Sequence, residues 1–119
     1  MRYVGIKGKV WERVKASVRR REKDCYSCGA KNLQGQNAHS GHYKPVGLVG
    51  SNNYWSWHPT FIHLQCGRCN GAGQGMAVEY RKHLVHDYGE SVVEEFDAEY
   101  RKVRPIKDWQ EVINRFNAL

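Results

Sequence analysis

A chain of 119 residues has room for one domain but too little bulk for a large apolar core. No apolar run approaches the ~20 residues a membrane helix needs, and the segment Met1-Arg2-Tyr3-Val4-Gly5 lacks the apolar stretch of a secretory signal. A cytoplasmic protein without membrane contact is therefore expected, where cysteines stay reduced and bind metal more often than they form disulfides. The net charge of +7 is gathered at one end: residues 1–24 hold nine Lys or Arg against three acids, and the other 95 residues contribute only +1. Charge concentrated this way suits a phosphate backbone, whereas a merely solvated face has no need of it.

In chain order, Val10, Trp11, Val14 and Val18 recur at helical spacing among basic residues, which predicts an amphipathic helix over 9–23. The stretch from Gln34 to Ser56 is rich in Gly, Asn and Ser and reads as loops and short strands. Tyr54-Trp55-Ser56-Trp57 and Phe61-Ile62-His63-Leu64 alternate as strands do. Met76, Tyr80, Leu84, Val85 and Tyr88 mark a helix closed by Gly89. Ser91 and Glu94 have capping-box spacing, opening a helix with Val92, Val93, Phe96, Tyr100 and Val103 on its apolar face. Pro105 interrupts it. Asp108 and Glu111 then open a last helix carrying Trp109, Val112, Ile113 and Phe116.

Cys25-Tyr26-Ser27-Cys28 and Cys66-Gly67-Arg68-Cys69 are two C-x-x-C turns. Each places two sulfurs on one side of an ion, and together Cys25, Cys28, Cys66 and Cys69 complete a tetrahedral zinc shell at ~2.3 Å without histidine. Two such pairs with no thioredoxin-like βαβ pattern argue against redox chemistry. Four thiolates leave no coordination position for substrate, so this zinc is structural and lends a thin core its binding free energy. The 37 residues between the knuckles are more than a simple zinc ribbon needs.

That insert contains His39-Ser40-Gly41-His42-Tyr43-Lys44-Pro45, and the second knuckle ends in Cys69-Asn70. Hydrolysis of a phosphodiester needs a neutral imidazole to deprotonate water and a divalent cation to take up charge on the phosphate. A histidine at the end of a strand and an Asn at the start of a following helix can supply the base and one ligand. C-x-x-C, Gly41-His42-Tyr43, Ile62-His63-Leu64-Gln65-Cys66, Cys69-Asn70, Gly75, Glu79-Tyr80-Arg81, Leu84 and Gly89 together resemble the lambdoid phage NinG (Rap) recombination proteins. These belong with the HNH, or His-Me finger, nucleases, as do the phage endonuclease VII-type resolvases.

The resemblance implies an α+β fold in which residues 25–88 form a zinc-framed ββα-metal core. Residues 1–24 would be a basic helix and residues 89–119 C-terminal helices, all within one domain. It implies a structure-selective DNA endonuclease for branched recombination intermediates such as Holliday junctions or D-loops. By position, His42 is the expected general base, and His39 and Asn70 the expected ligands of a catalytic Mg²⁺ or Mn²⁺. The sequence departs from the pattern twice. Gly41 stands where an acid or histidine usually precedes the base, so ligation by His39 requires a bulge in the strand. Phe61 stands where the middle Asn is expected, leaving its orienting role to His63, to His58 or to no residue.

Each of these residues has a plainer reading. His42 is alternatively a zinc-shell or structural histidine, His39 a surface residue or the base, and Asn70 a helix cap. His63, alternating with Ile62 and Leu64, is expected to face solvent or the cleft. Glu79 either reaches the metal or pairs with Lys82 or His83. Arg13, Lys15, Arg19, Arg20, Arg21, Arg68 and Arg81 are the expected DNA contacts, and Tyr54, Trp55 and Trp57 either stack on unpaired bases or fill the core. Symmetric junction cleavage requires two sites, hence an expected homodimer through the C-terminal helices. The competing reading is a non-catalytic, zinc-stabilised DNA-binding accessory protein with a degenerate HNH centre.

Overall fold

A computed structural model describes residues 3–71 and 76–118; Arg2 of the basic segment and Gly75 of the motif lie outside them. Among the described residues five α-helices accompany one two-stranded antiparallel sheet: α1 (Gly5–Arg21), β1 (His39–His42), β2 (Ile62–Gln65), α2 (Gly67–Asn70), α3 (Ala77–Tyr88), α4 (Glu90–Glu99) and α5 (Trp109–Asn117). No helix among them is long and apolar enough to cross a membrane.

Helix α1 begins four residues earlier than the periodicity suggests and buries Val10, Val14, Ser17 and Val18. Arg19, Arg20 and Arg21 occupy its last turn, where cations complement the helix dipole. The buried stripe meets Ile62 and Leu64 of β2 together with Val112 and Phe116 of α5. The Ser17 hydroxyl donates to the Phe116 carbonyl at 2.9 Å, satisfying an otherwise orphaned group near the end of α5. The apolar stripe of α5 is therefore internal core. A second cluster, Tyr43, Phe61, Tyr80, Leu84, Val93, Phe96 and Tyr100, joins α3 and α4 to the loop after β1.

Three expected elements differ. Tyr54–Trp57 forms a 3₁₀ turn, not a strand, followed directly by a second turn over Pro59–Phe61. The Trp57 indole donates to the Ser51 carbonyl at 2.8 Å, a bond made within the loop, where a strand would pair with a neighbour. Phe61 lies outside the strand, its ring 4.0 Å from that of Phe96. Helix α4 is not capped by Ser91. Gly89, at φ +95°, donates to the Val85 carbonyl to close α3 and at once serves as N-cap of α4, so Ser91 falls inside the helix. The helix ends at Glu99, leaving Val103 exposed.

Candidate functional site

The two knuckles bring Cys25, Cys28, Cys66 and Cys69 together, all four sulfurs lying within 4.8 Å of one another. The Cys28 and Cys66 sulfurs are 3.8 Å apart. That is about the edge of a tetrahedron with ~2.3 Å zinc–sulfur bonds. Burial acts to raise the Cys25 thiol, but amides of Cys28, Cys66 and Ser27 bring it down to about 7. Burial and the neighbouring sulfurs push Cys69 well up, so a cation is what would let all four ionise together. The donor set fits structural zinc. Among the described residues it is the one cluster of three or more metal-ligating side chains.

The second knuckle leads straight into α2, which Asn70 closes. Asn70 thus ends a one-turn helix, where it was expected at the start of a longer one, and it caps no helix. Its Nδ2 lies 3.1 Å from His39 Nδ1, so the strand histidine and the knuckle asparagine meet as expected. The strand does not bulge. His39, Ser40, Gly41 and His42 pair in unbroken register with Gln65, Leu64, His63 and Ile62. Period-two alternation then places His39 and Gly41 on one face and His42 on the other.

Gly41 is explained by its neighbours. A Cβ at this position would stand 1.7 Å from Gln65 Oε1 and 2.9 Å from Asn70 Oδ1. The Gln65 carboxamide, tied to the first knuckle by a 2.8 Å bond from Nε2 to Ser27 Oγ, fills the space an acid or histidine would need. Gln65, fully buried, is a residue that spacing alone does not single out.

On the opposite face the His42 ring stacks on Trp11 of α1, with centroids 5.4 Å apart and planes 15° from parallel. Its Nε2 lies 2.8 Å from the Ser56 carbonyl. A carbonyl only accepts, so Nε2 carries the proton and Nδ1 keeps its lone pair. Burial pushes the His42 pKa down to about 4, against the opposing pull of the Ser56 carbonyl, and the ring is neutral at pH 7. Nothing in the sequence points to Ser56, because its contribution is a backbone oxygen.

His63 is not turned to solvent. It is 3% exposed, with Nδ1 2.8 Å from Glu22 Oε2, Nε2 2.8 Å from the Thr60 carbonyl, and its ring stacked 3.8 Å from that of Tyr26. Both nitrogens are engaged, so His63 anchors the end of α1 to β2 and is not a free base. His58 accepts from the Thr60 amide at 3.2 Å, and burial, with the charge of Arg115, lowers its pKa to about 4.

The expected DNA contacts divide. Arg13, Arg19, Arg20 and Arg68 are exposed, although Arg19 also donates to the Ala38 carbonyl at 3.1 Å. Lys15 pairs with Glu12 at 2.8 Å, and Arg81 lies 3.5 Å from Asp97. Arg21 is turned inward: its Nε meets Glu22 at 2.7 Å, Nη1 donates to the Pro59 carbonyl at 3.1 Å, and Nη2 to that of Ile62. It is a strut between α1 and β2, not a surface cation. Glu79 meets Lys82 at 3.5 Å, the ordinary helical pair.

A basic helix and a cysteine tetrad framing a two-stranded sheet define a small α+β protein with a metal-knuckle core. The family described as bacteriophage lambda NinG protein matches residues 7–119, nearly the whole chain, and the chain belongs to that family. No curated protein and no solved structure matches it.

Proposed function

We propose that the chain is a metal-dependent endonuclease of the HNH type, with a ββα-metal core, acting on branched DNA during phage recombination in the host cytoplasm. The observation that carries this reading is His42: a neutral imidazole at the end of β1, its Nε2–H held at 2.8 Å by a loop carbonyl, its Nδ1 left as proton acceptor. A backbone carbonyl that fixes the tautomer of a histidine is how proteins orient a general base.

His39 and Asn70, already 3.1 Å apart, would hold Mg²⁺ or Mn²⁺ through an imidazole nitrogen and the amide oxygen. Two protein ligands suit a cation that keeps several waters. The cation would supply charge neutralisation on the phosphate and its leaving 3′-oxygen. Among the described residues no third strand pairs with β1, so a phosphate at the end of that strand would be approached from both of its faces. His42 takes a proton from the attacking water at Nδ1. Cys25, Cys28, Cys66 and Cys69 would hold a structural zinc that fixes the distance between strand and α2, with no coordination position left over for the reaction. Arg13, Arg19 and Arg20 on α1, with Arg68 beside the second knuckle, neutralise backbone phosphates, and a homodimer provides two cuts.

Incubating the zinc-loaded protein with a synthetic four-way junction and with linear duplex, in Mg²⁺ or Mn²⁺ against no added divalent cation, tests the reading. Metal-dependent nicking of the junction is expected. Tight binding with no nicking of any substrate would overturn the enzyme and favour the second reading, a non-catalytic DNA-binding accessory protein. The observation behind that alternative is the regular strand, which turns His42 away from His39 and Asn70.

A further inference from the structure

Two guanidiniums lie over the ring of Tyr54, that of Arg104 at 4.1 Å from the centroid and that of Arg115 at 4.5 Å. Both belong to the C-terminal third of the chain, outside the basic N-terminal segment in sequence. Among the described residues neither reaches a carboxylate within ion-pair distance. Among the described residues Nε and Nη1 of Arg115 are buried and have no hydrogen-bond partner. Buried donors without partners are costly, and an anion beside them lowers that cost.

The two arginines, with Lys107, line a cleft of about 360 Å³ beside the start of α5. Two acids share its rim. Asp108 is occupied in accepting from the Gln110 amide at 3.0 Å, and Glu111 is exposed, so the three cations outnumber them by one. The cleft is held in shape before any ligand arrives. Asn53 accepts from the Arg104 amide and Asn52 from the Ile106 amide, each at 3.0 Å, and the Tyr54 amide donates to the Arg104 carbonyl at 2.6 Å. Two residues beyond Tyr54 stands Ser56, whose carbonyl orients His42.

We infer that the Tyr54–Arg104–Arg115 cleft is a second phosphate site, taking a backbone phosphodiester of duplex DNA independently of α1. Arg115 and Arg104 supply two positive charges at the cleft, both steadied by the Tyr54 ring. A phosphate seated there grips the loop that aims the His42 imidazole, so this site places duplex and base relative to each other. The inference rests on the DNA-binding half of the proposed function and not on cleavage.

The test is binding of a labelled duplex by the zinc-loaded chain with no Mg²⁺ or Mn²⁺ added, across a salt series. Arg115→Gln and Arg104→Gln are each expected to weaken binding about tenfold. Each should also lower the slope of log K against log salt by about 0.9, the value of one phosphate contact. Arg115→Lys, which keeps the charge, recovers most of the slope. Because Arg115 is partly buried, the wild-type chain is also followed by NMR. Its Arg115 Nε–H resonance should move on adding duplex, whether or not a variant folds. Unchanged slopes in folded variants, or a resonance that moves with inorganic sulfate but not with duplex, overturn the inference. A chain that passes here yet fails to nick junctions overturns only the enzyme.

Discussion

The two faces of one four-residue ladder do different work. One face is mostly apolar and meets a helix: Ile62 and Leu64 pack on the valines of α1, with Ser40 opposite Leu64 and His42 at the strand end against Trp11. The other is polar although equally buried: Gln65 and His63 are 0% and 3% exposed and are held by Ser27, Glu22 and Thr60. Burial on the first face is stabilised by area removed from water. On the second it is offset by bonds from the Gln65 amide to Ser27 of the first knuckle and from His63 to Glu22 and Thr60. The difference teaches where the chain is tolerant: the helix-facing side follows volume, and the knuckle-facing side follows hydrogen-bond geometry.

The most severe way to break this division is through the metal. Cys66→Ala removes one thiolate of the tetrad and with it most of the ~10 kcal/mol that structural zinc can contribute. Loss of bound zinc by elemental analysis and of a cooperative thermal transition by circular dichroism is expected. A stable Cys66→Ala chain would contradict the structural role. Gly41→Asp installs the acid that the HNH pattern prefers but drives a Cβ against Gln65 Oε1, so a loss of about 3 kcal/mol is expected in urea denaturation. Adding Gln65→Ala should return part of it. If Gly41→Asp alone is as stable as wild type, the carboxamide does not fill that space.

Arg21 and Arg20 are adjacent in sequence and opposite in use. Arg21→Gln cuts the strut from α1 to β2 and should cost about 2 kcal/mol of stability. Arg20→Gln should leave stability intact and lower the salt slope of DNA binding by about 0.9. Reversed outcomes would place the wrong arginine on the surface. The smallest effect concerns acid. His42 and His58 both have folded pKa values of about 4, below the usual histidine range. As pH falls from about 6.5 the unfolded chain takes up protons the folded one refuses, so stability drops until about pH 4 and these two residues remove no more below it. Urea midpoints across this range should fall less steeply in the His42→Gln, His58→Gln double variant.

Much of this was legible because it is local. Cysteine spacing places the tetrad, three valines four residues apart place α1, and Asp108 announces α5, whose first turn it caps. The meeting of His39 with Asn70 also follows from which segments the knuckles join. What stayed hidden depends on partners distant in sequence or on backbone atoms. Gly41 looks like a defect until Gln65, on the facing strand, is seen to occupy its side-chain space. Arg21 reads as one more surface cation until its carbonyl acceptors at Pro59 and Ile62 are in place. The loop turns through 3₁₀ geometry where alternation of Tyr54, Trp55 and Trp57 suggested a strand, because the Trp57 indole is bonded back to Ser51.

The most direct measurement is the single-turnover nicking rate of a four-way junction in Mn²⁺, by wild type and His42→Ala, from pH 5 to 8. Wild type should nick at a rate that stays flat above about pH 5, since a base with a pKa of about 4 is already deprotonated. His42→Ala should bind the junction equally well and cut it about 10³-fold more slowly. Equal rates for the two proteins would remove His42 from the reaction.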